Sequence, residues 1–471
     1  MRVVSDSRGE RTKRMAEFNA TFEGMIKALI EEKKFPTIKD VISTMAPTDL
    51  AALFERIGEE DAPLVFRLLP KSKAAEVFVE MDNDFQEALI KSFNDNKLKE
   101  ILDELYVSDI TDLVEEMPAN VVERILSQID PATRKDINQL LQYPENSAGS
   151  IMTTEYVAFR QGITVGEAIQ QLRKTGLDKK SFYAGYVTKN KKLIGRLSVK
   201  DLLLAKDDSI NIDKLVKTNV ISVKTHEDKE EVSKLLSKYN FYAIPVVDGD
   251  NRMVGIISFD EALEVMEDEA TEDIEIMAGM TPSEKTYLRS TPFDLYKHRI
   301  GWLMLLMVSA TFTGMIITGF ENALSALVVL TAFIPMLMDT GGNSGSQSSV
   351  TIIRALSLGE IEFRDLGRII WKEARTALLC GLTLAVICFG KIMLVDRLLL
   401  QNEEVSVMVA GVVCLTMAAT VFVAKIIGCT LPLVAKKLNF DPAVMASPFI
   451  TTIVDAVSLL VYFGIASAFL F

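Results

Sequence analysis

Cysteine is scarce in this sequence and poorly placed for cross-linking. Only Cys380, Cys388, Cys414 and Cys429 occur in 471 residues, all in the apolar last third, and no two form a C-x-x-C pair. That spacing argues against a disulfide framework and against a zinc site, and leaves reduced core thiols as the expectation. The opening segment MRVVSDSRGERTKRM is polar and basic and has no apolar h-region. No cleaved signal is therefore expected, and the polar part of the chain should stay in the cytoplasm. An excess of basic charge is missing too. Of the net −13, all falls in residues 1–297, which hold 40 Lys and Arg against 53 Asp and Glu, while His298 onward is balanced at 11 of each. An acidic polar region argues against nucleic acid as a partner and points to cations, or to solubility alone.

What is present divides the chain between two solvents, because 49% hydrophobic residues coexist with 24% charged ones. Residues 1–20 read as a disordered basic tail. Between 21 and 146, short apolar-striped helices recur at roughly 22–25 residues, as in DLAALFERIGEEDAPLVFRLLP and LKEILDELYVSDITDLVEEMP. Such units cannot bury their own faces and should stack into an all-α superhelical domain. A different repeat occupies 147–270. LIGRLSVKDLL at 193–203 returns sixty positions later as MVGIISFDEAL, and each is preceded by a helical segment and an apolar strand. This strand–helix–strand–strand–helix pattern, twice over, resembles a tandem pair of cystathionine-β-synthase (CBS) modules, an α/β arrangement. The resemblance implies small-ligand sensing, often of adenine nucleotides such as ATP. The G-x-x-S-x-x-D spacing of Gly195, Ser198 and Asp201 fits that use.

The segment FDEALEVMEDEATEDIEIMAG, 259–279, holds nine acids and no base on a helical apolar period. Like charges four apart on a helix destabilise it by a few tenths of a kcal/mol each, so this density is odd without counter-ions. Residues 271–297 read as a connecting, plug-like helix and linker. From 298 to 471 the chain reads as a five-helix transmembrane domain, with apolar stretches near 300–320, 322–356, 376–396, 405–433 and 445–471, each long enough for the roughly 20 residues a span needs. The second is too long for one straight helix. Arg354, Arg364, Arg368, Lys372 and Arg375 lie between the second and third spans, and Lys436 and Lys437 between the fourth and fifth. The positive-inside rule then places the N-terminus in the cytoplasm and the C-terminus outside a plasma (inner) membrane.

Two features carry chemistry at membrane depth. Asp455 stands in SPFITTIVDAVSLLVYFG with no charged neighbour in sequence, at a cost of about 2.5–3.5 kcal/mol even on lenient insertion scales. PMLMDTGGNSGSQSS, 335–349, crowds Gly341, Gly342, Asn343, Gly345 and Gln347 behind an Asp339-Thr340-Gly341 tripeptide. Two readings compete. An aspartic-protease tripeptide would pair Asp339 with Asp455 as a dyad, but its flanks are helical rather than β-rich. Alternatively the glycines mark irregular backbone that lines a cavity and allows close helix approach, and the amide and carboxylate oxygens are hard ligands suited to Mg²⁺ or Ca²⁺. A pore follows naturally from the second. Asp441, in NFDPAV, reads as a cap near the cytoplasmic rim.

The run Pro335 to Gln347, followed by TIIRAL and later DPAVMASPFITTIVD, resembles the MgtE family of magnesium channels and transporters. The likeness extends over nearly the whole chain. It implies a homodimer embedded in membrane lipid, with an ion path along its axis. Asp455 would form the selectivity site, with Thr451 and Asn343 as neighbouring oxygen donors. It further implies that cytosolic Mg²⁺ binds among the domains and holds the pore shut. Matching carries that role to Glu261, Glu264, Glu269, Glu272 and Asp273, to Asp228 and Glu230, and by spacing to Asp109 and Asp112. Glu at 261 and 264 and Asn240 depart from the family's acids, which would weaken or remove one sensor ion. A Na⁺- or H⁺-coupled carrier, a membrane-anchored Mg²⁺ sensor and a CBS-regulated anion channel remain as alternatives.

Overall fold

The computed structural model describes residues 22–176, 179–283, 287 and 290–470, so the tail expected over 1–20 lies outside the described residues. The chain divides into two compact units, Met1–Met266 and Glu267–Phe471.

The first unit opens with short helices whose starts repeat. One set begins at Pro47, Lys71, Asp95 and Ala119, and a second at Asn83, Val107 and Pro131, each advancing by 24 residues. Proline stands in the first turn at Pro47 and Pro131 and just before it at Pro70 and Pro118, where its missing N–H is no loss. Asp82 and Asn94 cap other starts with side-chain oxygens, and Asp130 caps the Pro131 helix as well. Successive members of the first set stack on one another. The stack buries Phe54, Phe66, Phe78 and Phe93 in one continuous core, as expected of units too short to be stable alone. The helix Val107–Glu116, here α1, carries Asp109 and Asp112.

Two copies of one unit follow. The first comprises β1 (Tyr156–Arg160), α2 (Val165–Thr175), β2 (Ser181–Lys189), β3 (Lys192–Ser198) and α3 (Val199–Leu203). The second comprises β4 (Val223–Lys224), α4 (Lys229–Tyr239), β5 (Ala243–Val247), β6 (Met253–Ser258) and α5 (Phe259–Met277). In each three-stranded sheet the first pair is parallel and the second antiparallel, the arrangement that a helical crossover followed by a tight connection dictates. Tyr186, Ala243, Met253 and Ile256 form a shared core between the copies, and the Tyr186 hydroxyl donates to the Ala243 carbonyl at 3.4 Å.

In the second unit, α5 ends at Gly279, whose φ of +71° suits the left-handed turn in which the Met280 N–H bonds the Glu275 carbonyl at 2.9 Å. Five long helices follow among the described residues: α6 (Pro292–Gly319), α7 (Ile334–Ser357), α8 (Leu366–Lys391), α9 (Val407–Lys437) and α10 (Ser447–Phe469). Pro292–Gly319, Phe363–Leu399, Val407–Lys437 and Pro442–Phe469 are long and apolar enough to cross a membrane; α7 has the length but carries the polar Gly-rich motif. The overlong second stretch is indeed broken, into Glu321–Ala326, a 3-10 segment Val328–Phe333, and α7. The break lies ahead of Pro335, however, and the glycine run itself is regular helix. The irregular backbone expected there is corrected: glycine disfavours an isolated helix, but here α7 packs against both α9 and α10. All four cysteines are free thiols.

Candidate functional site

The glycines of α7 set how closely three helices meet. A Cβ on Gly342 would lie 3.0 Å from Thr451 Cγ2, and one on Gly345 would lie 2.9 Å from Ile450 Cγ2 and 3.2 Å from the Ala424 carbonyl. At Gly341 it would meet Thr420 Cγ2 at 2.7 Å and Ser458 Oγ at 2.8 Å, and at Gly428 it would collide with the Gly345 backbone. These contacts fix an antiparallel register in which Gly345, Gly342 and Gly341 of α7 face Ile450, Thr451 and Ser458 of α10 in turn. Asp455 lies one turn past Thr451, and Asp339 one turn before Asn343. The two carboxylates therefore fall at the same level, within electrostatic range of each other.

On the opposite side of α7 runs a stripe of exposed positions at fourfold spacing: Pro335 in the first turn, then Asp339, Asn343 and Gln347. The Asn343 amide donates to the Asp339 carboxylate at 3.0 Å, and the Thr451 hydroxyl donates to the Pro448 carbonyl at 3.0 Å. The Asp-Thr-Gly tripeptide is thus helical, unlike the β-loop of soluble aspartic proteases. Asp441 caps the 3-10 turn ahead of α10, accepting from the Ala443 N–H at 2.8 Å. A further polar cluster is not foreseen from the sequence. Lys425 of α9, only 5% exposed, donates to Ser348 Oγ at 3.3 Å, and Ser348 donates to Glu373 of α8 at 2.7 Å. A buried ammonium so partnered fastens α7, α8 and α9 together. A signal for it exists, since Lys425 interrupts the apolar run AATVFVAKIIGC.

In the first unit, Lys180 stands just before β2 and bridges two distant segments. It pairs with Asp109 of α1 at 3.1 Å and with Glu261 of α5, and donates to Ser108 Oγ at 3.3 Å. Burial alone would lower the Lys180 ammonium, but the charges of Glu261 and Asp109 and their hydrogen bonds outweigh it and hold it above the usual lysine range. Burial lifts Glu261 against the pull of Lys180. Desolvation by surrounding protein, then repulsion from Glu261, pushes Asp112 upward; its surface is more than a third exposed, so water tempers that rise. Glu155, which accepts from the Val107 N–H at 3.0 Å, is also raised, by burial first. Asp109, Asp112 and Glu261 are thus brought together, around a lysine that no local pattern marks.

The remaining acids are spread out. Glu264 and Glu272 are exposed along α5, while Glu269 and Asp273 are half-buried. Asp228 caps α4, accepting from the Glu230 and Glu231 N–H groups, and Glu230 pairs with Lys234 at 2.6 Å. Asn240 closes α4 at φ 53°, a left-handed position that asparagine tolerates well. Among the described residues no three or more His, Cys, Asp and Glu side chains form a metal cage.

A pH dependence follows from the raised carboxyls. Asp112, Glu261 and Glu155 hold their protons more tightly folded than unfolded, so stability falls as pH rises from the ordinary carboxylate region near 4. In EDTA, the unfolding temperature of the full-length protein should drop between about pH 5 and 8. Asp112→Asn should flatten that drop, and an unchanged slope would place the titration on other groups.

Of the three positions picked for a nucleotide, two have structural duties. A Cβ on Gly195 would overlap Val216 Cγ1 and lie 2.8 Å from the Lys217 carbonyl, and Ser198 caps α3 by accepting from the Lys200 N–H at 3.2 Å. Asp201 differs: its Oδ2 is buried without a hydrogen bond and lies 3.8 Å from Lys217 Nζ.

Residues 334–465 match the family model of the MgtE divalent cation transporters, 45–146 the MgtE intracellular N domain, and 148–208 and 212–268 CBS domains. Over 442 residues the chain is 35% identical to the magnesium transporter MgtE of Thermus thermophilus, covering 93% of this chain and 96% of that one. The chain belongs to the MgtE family. The magnesium transporter MgtE of Bacillus subtilis is 32% identical over 460 residues, covering 96% of this chain and 99% of its own. A crystal structure described as the cytosolic domain of the Mg²⁺ channel MgtE in complex with ATP is 36% identical, covers 51% of this chain and 98% of its own, and superposes with a TM-score of 0.48. MgtE membership accounts for the helical N-terminal array, the CBS pair and the apolar helical region occurring in one chain.

Proposed function

We propose that this chain is a channel that imports Mg²⁺ across the inner membrane as a homodimer and is held shut by cytosolic Mg²⁺. One observation carries the reading: Asp455 lies at the level of Asp339 and within its electrostatic range, and Asp339, Asn343 and Gln347 form an exposed polar stripe within a bundle of apolar helices. Such a stripe cannot face hydrocarbon and must border water or another protein surface. A second copy about a twofold axis would turn it into a closed path and double the carboxylates, while the exposed apolar side chains of α6 would meet lipid. Mg²⁺ dehydrates reluctantly and keeps several waters, so Asp455, with Asn343 and Thr451 nearby, would hold it through its hydration shell. With the N-terminus inside and the C-terminus outside, inward flow gains about 2.3 kcal/mol per charge per 100 mV, hence about double for a divalent ion.

The brake would lie on α5. Glu264, Glu269, Glu272 and Asp273 offer hard oxygen donors on a helix without a basic residue, with Asp228 and Glu230 as further acids. Bound Mg²⁺ would cancel their repulsion and favour the closed form. The end of α5 has a mechanical link to the path, because a Cβ on Gly279 would lie 2.9 Å from Pro448 Cγ in the first turn of α10. The Asp109–Glu261 contact does not fit a regulatory ion, since Lys180 already fills it. An adenine nucleotide is a second cytosolic ligand in this reading, with the Asp201 carboxylate, whose Oδ2 lacks a hydrogen bond, suited to ribose hydroxyls.

Proteoliposome flux tests the whole. Mg²⁺ uptake should run at low internal Mg²⁺, stop at several millimolar, and persist there in a Glu269→Gln, Glu272→Gln, Asp273→Asn variant. Internal ATP should shift the inhibiting concentration in wild type and not in Asp201→Ala. Uptake that needs a Na⁺ or H⁺ gradient would replace the channel by a coupled carrier, and no uptake at all would favour a membrane-anchored sensor.

A further inference from the structure

We propose that Lys180 is a tethered counter-cation that closes the contact between the N-terminal helices and the CBS pair without a divalent ion. The inference rests on the reading of the surrounding acids as part of a Mg²⁺-sensing region. Three segments meet here that are far apart in sequence: Asp109 on α1, Lys180 ahead of β2, and Glu261 in the first turn of α5. Lys180 and Asp109 are each 12% exposed and Glu261 15%, so the charges are largely removed from water. The ammonium also sits 5.9 Å from the Tyr106 ring centroid, and Asp112 adds a further carboxyl within electrostatic reach.

Without the ammonium, two half-dry carboxylates would confront each other with a third beside them. Like charges in that setting repel or share a proton, or recruit a cation, and carboxylate oxygens are the ligands that Mg²⁺ prefers. Lys180 supplies the cation from within the chain, so its local concentration does not depend on the cell's Mg²⁺. The N-terminal helices would therefore stay on the CBS pair when Mg²⁺ falls. The Mg²⁺-dependent step would shift to the acids farther along α5, around Glu269, Glu272 and Asp273. The same geometry explains why glutamate serves at position 261: its longer side chain meets a lysine rather than a compact ion.

Hydrogen exchange of the full-length protein in detergent tests this directly, read at residues 107–116 and 259–266. In EDTA, wild type and Lys180→Arg should keep both segments protected. Lys180→Met should exchange about tenfold faster there, and millimolar Mg²⁺ should restore its protection. Protection of Lys180→Met in EDTA equal to wild type would overturn the proposal, as would loss of wild-type protection in EDTA. Faster exchange in Lys180→Met that Mg²⁺ leaves unchanged would overturn the claim that lysine stands in for a divalent ion. Because no flux is measured, failure of the channel reading would leave this result interpretable, and the converse also holds.

Discussion

Asp455→Ala and Asp455→Asn should reduce Mg²⁺ flux by at least about 100-fold while leaving the protein folded. A unit charge about 5 Å from a divalent ion is worth about 7 kcal/mol at an effective dielectric constant near 20, against under 2 kcal/mol in bulk water. Even half of that lost at the proposed ion site exceeds the roughly 2.7 kcal/mol that a 100-fold rate change requires. Folding should survive, because the change removes an expensive charge from membrane depth rather than creating one. Identical size-exclusion profiles would show this. Asp455→Glu should keep partial flux with altered selectivity. Asp339→Asn should weaken flux less, since its carboxylate is already engaged by the Asn343 amide. Full flux in both Asp455 variants would move the ion path off α10, and loss of folded protein would turn Asp455 into a structural residue.

Much of the architecture is legible in the sequence because it repeats. The 24-residue advance of the N-terminal helices shows there as a loose period, blurred because proline marks some starts, Asx residues others, and Val107 has no side-chain cap. The CBS pair is clearer still, since LIGRLSVKDLL and MVGIISFDEAL demand the same strand and helix in both copies. The glycine run signals close approach, which the structure bears out, and irregular backbone, which it does not. Glycine penalises an isolated helix, and sequence alone does not reveal that Gly345 and Gly428 press two helices together. Lys180 is illegible for another reason. Its partners lie 71 and 81 positions away, and KKSFYAG looks like any solvated strand entry. Asp339 lies outside the glycine core of its motif, and only the antiparallel register of α7 and α10 brings it to the level of Asp455.

Gly428→Ala should unfold or disassemble the apolar bundle more readily than any comparable single-methyl change in it. The added Cβ would overlap the Gly345 carbonyl, with the rest of the Gly345 backbone within 3.2 Å, and a backbone atom cannot swing away as a side-chain tip can. The helices α7 and α9 must separate, and overpacking of this kind costs about 1–3 kcal/mol. For a unit of this size that is a fall of roughly 2–12 °C in unfolding temperature. Gly411 lies on the same helix, and a methyl added there would have nothing within 4 Å, so Gly411→Ala should leave the unfolding temperature unchanged or raise it. Gly345→Ala should fall between the two. Its nearest neighbour would be a side-chain methyl, Ile450 Cγ2 at 2.9 Å, which can give, but the Ala424 carbonyl at 3.2 Å cannot. Because the Gly345–Gly428 contact also sets the position of the Asp339–Asn343 stripe, any Gly428→Ala protein that does fold should carry less flux. Equal stability of the Gly411 and Gly428 variants would mean that α7 and α9 are not held as closely as this register requires.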